Sequence, residues 1–328
     1  MTSLLEFKPR LTHVDLFAGI GGFRLALNHA GYTPIMVAAC DTNSNSRKTY
    51  TRYFGDEYTH TDIRRMHLGS HLAPMPESGV DILTAGFPCQ PFSKVNTSGK
   101  LGDDHKSGLL YLDMLRIIGE CTPKVIVLEN VGNFPRVDGG QQLGVILDSL
   151  ESDYNITTGI FNTSIVVPQQ RNRWILLAVR KDIDPDNLAI IIPSYFPTTR
   201  MLLADILDPI EDVSPLLYIS KSSWSNLELK QTFAPILISR EQAKNVSCLA
   251  PTLLATGQRG SQDVLIMEQN HKVPRVLSIT EMIALMGFPH DIFRWRISNT
   301  AAHVQLGNSV VPKFIAEIIN PTLKNVFT

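Results

Sequence analysis

Cysteine is scarce, and what there is lies scattered. The four residues Cys40, Cys89, Cys121 and Cys248 form no C-x-x-C pair of the kind that holds zinc and no dense disulfide framework, so reduced thiols and no bound metal are expected. No apolar stretch approaches the roughly 20 residues that span a bilayer. The opening MTSLLEFKPRLTHVD lacks the basic and apolar regions of a secretion signal followed by a cleavage site. These absences point to a soluble, cytoplasmic protein without membrane contacts. Charge of one sign is missing too: with a net charge of -1, any nucleic-acid partner must be met by a local basic face. Internal repeats and low-complexity tracts are absent. What is present is a chain of 328 residues, 44% hydrophobic and 19% charged, enough for one large or two small domains with a sizeable core.

The first half alternates short apolar runs with amphipathic stretches. Residues 13–17, 35–39, 81–85 and 124–128 read as strands, with 158–162 and 174–179 as two more, while 23–27 and 109–115 show helical spacing. Strands alternating with helices imply an α/β unit with a mainly parallel sheet. From about Asp182 the alternation disappears, and residues to 273 are rich in proline, serine and short ambiguous apolar runs, as in a second, loop-rich domain. Ser278 to Met286 then reads as a capped helix, and Pro312 to Ile319 as a last helix broken by Pro321.

The stretch Asp15-Leu16-Phe17-Ala18-Gly19-Ile20-Gly21-Gly22 follows a strand and opens a helix. Glycines there let the backbone pass close to a ligand while the helix N-terminus offers free amides. Asp41, at the end of the second strand, is well placed to accept bonds from ribose hydroxyls. A glycine-rich turn alone is an ordinary β-α connection, but the acidic residue that follows favours a nucleotide-like ligand. The glycines depart from G-x-G-x-x-G, and Phe17 stands where a pyrophosphate would need room, which favours a nucleoside without phosphates over NAD.

Residues 86–93 read GFPCQPFS. A cysteine in an apolar strand is more often a buried core residue than a nucleophile. This one ends a strand-like run between Pro88 and Pro91, at the sheet end where open α/β folds bind ligands. The polar loop that follows, Lys94 to Ser107, suits a lid or a substrate-contacting loop.

Asp15 to Gly22, Gly86 to Ser93, Glu129-Asn130-Val131, Gln169-Gln170-Arg171-Asn172-Arg173, Arg275 to Pro289 and Gly307 to Pro312 occur in the order, and at about the intervals, of the motifs of DNA (cytosine-5) methyltransferases. The chain resembles the small bacterial and phage modification enzymes of that family over nearly its whole length except about 182–273. The resemblance implies a Rossmann-like S-adenosylmethionine-dependent methyltransferase domain with a mainly parallel sheet, made of residues 1–182 plus 304–328. It also implies a small loop-rich target-recognition domain at 183–273, with a hinge and helix at 274–303.

The resemblance further assigns roles that the chemistry can be checked against. Carbon 5 of cytosine is a poor nucleophile until a thiolate adds at carbon 6. Cys89 matches the family nucleophile, and Glu129 the carboxyl that meets ring nitrogen 3. Arg171 and Arg173 match an arginine pair expected to hold the base carbonyl and favour thiolate. For S-adenosylmethionine, with S-adenosylhomocysteine as product, Phe17, Gly19, Ile20 and Gly21 match the wall beneath the donor, Asp41 the ribose ligand, and Asp62 with Ile63 the adenine flank. Leu110, Asn308, Ser309 and Val310 match the groups that close the pocket. Thr42 departs from the family, whose members often carry a bulky side chain there.

A cytosine must leave the duplex stack before a thiolate can reach it. Gln90 and Ser93 are expected nearest the gap, with phosphate contacts from Lys94, Lys100, Arg240 and Arg259. The run 250–257, including Thr252, resembles the end of the family's recognition region, and Gln258, Arg259 and Gln262 are candidates for reading bases. An ordinary surface loop explains that stretch equally well. The leading expectation is a double-strand DNA cytosine-5 methyltransferase, monomeric, partnering a restriction enzyme in function without binding it. The alternatives are a transfer-RNA methyltransferase of the same fold, suggested by residues 38–43, and a catalytically silent DNA-binding regulator. The first is opposed by GFPCQPFS and the length of 182–273, the second by the intact Cys89, Glu129, Arg171 and Arg173.

Overall fold

The computed structural model describes residues 8–56, 58–69, 75–88, 110–193, 201–229, 236–255 and 264–327. Six strands form one sheet: β1 (Arg10–Leu16), β2 (Thr33–Cys40), β3 (Ile82–Gly86), β4 (Val125–Val131), β5 (Tyr154–Asn162) and β6 (Asn172–Arg180), in the order β2-β1-β3-β4-β6-β5. The β1/β2, β1/β3 and β3/β4 pairs are parallel, and β6 runs antiparallel to both β4 and β5. All six match apolar runs in the sequence.

Helices cover both faces, which is why the central strands are apolar without interruption. The alternation is visible residue by residue. Val125, Val127, Ile175, Leu177 and Val179 enter the core beneath helices α1 (Gly22–His29) and the C-terminal α10 (Pro312–Phe327). Ile126, Leu128, Trp174, Leu176 and Ala178 face the other way, toward α3 (Leu110–Cys121) and α4 (Gln141–Leu150). Helix α2 (Ser44–Phe54) follows edge strand β2, capped by the Asn43 side chain, which accepts from the amides of Asn45 and Ser46.

Beyond β6 the elements shorten: α5 (Leu203–Ile206), α6 (Lys221–Leu229), a parallel pair β7 (Ile236–Ser239) and β8 (Val264–Met267), and α7 (Arg240–Ala243). This region does not have a core to itself. Leu203, Ile206, Ile238, Leu253 and Ile266 belong to the same apolar cluster as α1 and α10. At its centre Arg275, wholly buried, bonds Glu268 and Glu281, and Glu281 completes the capping box of α8 (Ile279–Leu285). Arg240, expected on phosphates, is instead engaged inside this network, donating to both Glu268 oxygens and to the Asp208 carbonyl.

Helix α9 (Asn299–Gly307) is capped by Ser298. One further element differs from expectation. Pro321 does not end the last helix, which continues to Phe327. Proline there removes one backbone bond and crowds the preceding turn, but Ile318 and Ile319 before it and Thr322 and Leu323 after it are all buried, so packing on both sides carries the helix through.

Candidate active site

The order of the sheet reverses between β1 and β3, and the carboxyl ends of β1 to β4 open there on a cavity of about 790 Å³. The β1-α1 turn forms one wall. Phe17 and Gly19 adopt left-handed backbone conformations with φ of 56° and 55°, and the Gly19 carbonyl accepts from the Tyr58 hydroxyl at 2.5 Å. Opposite them Asp41 accepts from the backbone amides of Gly19 (2.9 Å) and Asn43 (2.7 Å). Burial raises the Asp41 carboxyl above the usual carboxylate range, partly offset by those two amides and by Arg47. Asp62 begins a 3-10 turn, Ile63–Arg65, and its bonds to Arg64 hold its carboxyl below the usual range.

Strand register supplies the other wall. Gly86 of β3 stands beside Glu129 of β4, and Arg173 pairs with Val131, two residues from Glu129 and on the same sheet face. The carboxylate and guanidinium therefore meet, with Arg173 Nε 2.8 Å from Glu129 Oε1. Burial lowers the Arg173 guanidinium from its ordinary value while Glu129 opposes the shift. Asn130 donates to the Phe87 carbonyl at 3.1 Å, pinning the backbone just ahead of Pro88.

Phe17, Gly19, Asp41, Asp62, Ile63, Leu110, Glu129, Arg171, Arg173, Asn308 and Ser309 line this one cavity, although they span almost 300 positions of sequence. Ile20, Gly21 and Val310, expected in its wall, are not among the residues that line it. Ile20 and Val310 belong to the apolar core. At Gly21 the backbone holds φ of 85°, and a Cβ there would lie 2.8 Å from Phe54 Cζ. Arg171, which lines the cavity, is also tied to the backbone around it. Its Nη atoms donate to the carbonyls of Leu253 (2.9 Å), Gly307 (3.0 Å) and Ser309 (2.8 Å), so it ties three chain segments together at the rim. Burial and neighbouring Arg173 push its guanidinium down to about 9, which leaves it a cation at neutral pH. Thr252 lies outside the cavity, its hydroxyl donating to the Gln170 carbonyl.

Cys89, Gln90, Ser93, Lys94, Lys100, Gln258, Arg259 and Gln262 lie outside the described residues. Pro88, directly before Cys89 in the chain, lines the cavity. Cys40 lines it as well, but burial and the nearby Asp41 and Asp62 raise its thiol to about 12, which keeps it protonated. Thr42, singled out in the sequence beside Asp41, lines the cavity, and several further lining residues carried no such signal: Asn43 and Ser46 at the start of α2, Arg64, and Gln305 of α9. Proximity to Asp41, Asp62 and the Gly307-Asn308-Ser309 stretch is the signal that could have found them. Among the described residues no group of His, Cys, Asp and Glu is arranged to hold a metal, and no helix is long and apolar enough to cross a membrane.

The fold and this cavity define an open α/β protein with a carboxylate–arginine pair facing a nucleoside-sized site. A profile of C-5 cytosine-specific DNA methylases matches residues 11–324. Type II methyltransferase M.HhaI of Haemophilus parahaemolyticus is 32% identical over 326 residues, covering 94% of each chain. Type II methyltransferase M1.ScrFI of Lactococcus lactis subsp. cremoris is 32% identical over 322 residues, covering 95% of this chain and 77% of that one. Among solved structures, S. pombe Dnmt2 methyltransferase superposes with a TM-score of 0.76 at 19% identity, over 97% of this chain and all (100%) of that one. The chain belongs to the C-5 cytosine-specific DNA methylase family.

Proposed function

We propose that the protein transfers a methyl group from S-adenosylmethionine to carbon 5 of a cytosine within a specific double-stranded DNA sequence. The observation that carries this reading is the Glu129–Arg173 pair, held in the cavity that Pro88, next to Cys89 in the chain, also lines.

The lining residues fit the donor. Asp41 is fixed by two backbone amides, which leaves its other lone pairs for ribose hydroxyls. Asp62 and Ile63 would flank the adenine, Phe17 and Leu110 offer apolar walls, and Asn308 and Ser309 supply polar groups at the rim. S-adenosylmethionine, when bound, supplies an electrophilic sulfonium methyl group.

The chain's own groups would act on the flipped base. Cys89 adds as thiolate to carbon 6, which makes carbon 5 nucleophilic. Glu129 meets ring nitrogen 3, by proton or hydrogen bond, and keeps negative charge from building on the ring. Arg173 orients Glu129 and holds the base carbonyl. Arg171 acts through position, joining the β6 entry to the ends of the recognition region and of α9. Asn130 holds the Phe87 carbonyl, and so the backbone ahead of the nucleophile. Once carbon 5 has gained the methyl group, loss of its proton to a base restores the carbon 5–carbon 6 double bond and expels Cys89 as thiolate.

In this reading residues 183–273 choose the target, with 1–182 and 304–328 carrying the chemistry across the 274–303 hinge. Gln90, Ser93, Lys94, Thr252, Gln258 and Arg259 are the proposed DNA contacts. The protein acts as a cytoplasmic monomer and protects sites from a restriction enzyme that it does not bind. Expression in a methylation-free bacterial host followed by bisulfite sequencing should reveal 5-methylcytosine at one recurring site. Folded protein that leaves no such site would overturn the reading. A duplex carrying 5-fluorocytosine at that site should trap a covalent complex with the native chain and none with Cys89→Ala.

A further inference from the structure

A second concavity, of about 340 Å³, lies between α2 and the segment leading into α9. Its lining includes Lys48 and Arg52 of α2, Trp295 and Arg296 from the facing segment, and Gln305. Lys48 and Arg52 are four positions apart and share one face of α2. Among the described residues neither Lys48 nor Arg296 has an ion-pair or hydrogen-bond partner, and Arg52 makes a single recorded contact, its guanidinium stacked 4.9 Å from the Trp295 ring. Among the described residues no acid lines the concavity. Two acids close by along the chain are already paired, Asp56 with Arg24 and Asp291 with Arg294.

Three cations facing one hollow repel one another, and no acid among the described residues lining the hollow neutralises them. In a chain of 30 basic and 31 acidic residues this is a local excess, not a reflection of bulk charge. Gln305, buried to 3% exposure, lines both this hollow and the large cavity, so the two sites share a wall. Helix α9 also directs its N-terminus toward the hollow through Ser298, which adds a favourable dipole for an anion.

We infer that this hollow is a phosphate-binding site that grips the backbone of the duplex whose cytosine enters the large cavity. The inference rests on the DNA-methylating function proposed above. A contact of this kind carries no base information: it anchors any sequence, and its strength falls with salt.

The test compares the full-length native chain with Lys48→Ala/Arg296→Ala, which leaves the stacked Arg52 in place. Fluorescence anisotropy would measure binding to a duplex with the target site and one without it, over about 50 to 200 mM salt. Calorimetry would measure S-adenosylmethionine binding. The expected result is an equal loss of affinity for both duplexes, a salt slope lower by about 2 because two phosphate contacts are gone, and unchanged cofactor affinity. Unchanged DNA affinity and slope would overturn the inference. So would a loss confined to the cofactor, which would make the hollow an annex of the large cavity. Lys48→Arg/Arg296→Lys keeps the charge and should bind like the native chain; if it is as weak as the alanine pair, packing and not charge is responsible, and the inference fails. Failure of the functional reading looks different, because the native chain itself would then not bind or methylate duplex DNA.

Discussion

At the residue scale, three side chains beneath the β1-α1 turn form a buried polar chain. His13 Nε2 lies 2.8 Å from the Thr84 hydroxyl, which donates to Asp15 Oδ1 at 2.8 Å, while Asp15 Oδ2 has no partner among the described residues. Burial raises the Asp15 carboxyl to about 7 and lowers the His13 imidazole to about 3. In the unfolded chain Asp15 loses its proton near pH 4, and in the native chain near 7, so the stability it contributes is complete below about pH 4 and is lost as pH rises through about 7. His13 has the opposite sign: its neutral form supports the native state, and that support is lost as pH falls from about 6.5 toward 3. Asp15→Asn removes the ionisable group while keeping the shape. Its stability gain relative to the native chain should therefore be larger at pH 8 than at pH 5, by about 2 kcal/mol for fully buried groups. Denaturant titrations at the two pH values check this, and an equal gain at both would show that Asp15 is not held protonated.

At the scale of elements, the sheet was legible because its strands are short apolar runs separated by amphipathic helices. The alternation of Val125 and Val127 against Ile126 and Leu128 is a period that needs no partner to be seen. Helix ends were less legible. The periodicity from Pro312 stops at Pro321 in any local reading, because proline's cost is local while the burial of Thr322 and Leu323 that repays it comes from distant segments. Pro321→Ala should restore one backbone bond, to the Glu317 carbonyl, and raise stability by about 1 to 3 kcal/mol. A lower midpoint in chemical denaturation would show instead that the ring itself packs usefully. Beyond β6, four-residue strands and helices such as β7 and α7 carry too few turns of any period to stand out from loops.

At the scale of the whole molecule, three segments far apart in sequence meet at Arg171. Its guanidinium holds the carbonyls of Leu253, Gly307 and Ser309, and a Cβ on Gly307 would lie 2.5 Å from the Ala255 nitrogen, so the end of α9 touches the segment around Ala255 backbone to backbone. Replacing Arg171 leaves three carbonyls without their charged donor at a buried crossing. Arg171→Ala should destabilise the protein by about 3 kcal/mol or more and weaken S-adenosylmethionine binding through the displaced Asn308 and Ser309. Parallel melting and calorimetry would check both. An unchanged melting temperature would remove the junction role.

The sequence by itself determined the α/β alternation, the acid at the end of β2, and the order of motifs that places Glu129, Arg171 and Arg173 together as candidates. Those are local periods and short patterns, set by neighbours along the chain. Only the tertiary structure decided how the two arginines divide their work. At a strand spacing of two residues they point to the same side of the sheet, and nothing in Gln170-Arg171-Asn172-Arg173 distinguishes them. What separates them is which chain passes overhead: β4 brings Glu129 to Arg173, while the segment around Leu253 and α9 bring carbonyls to Arg171.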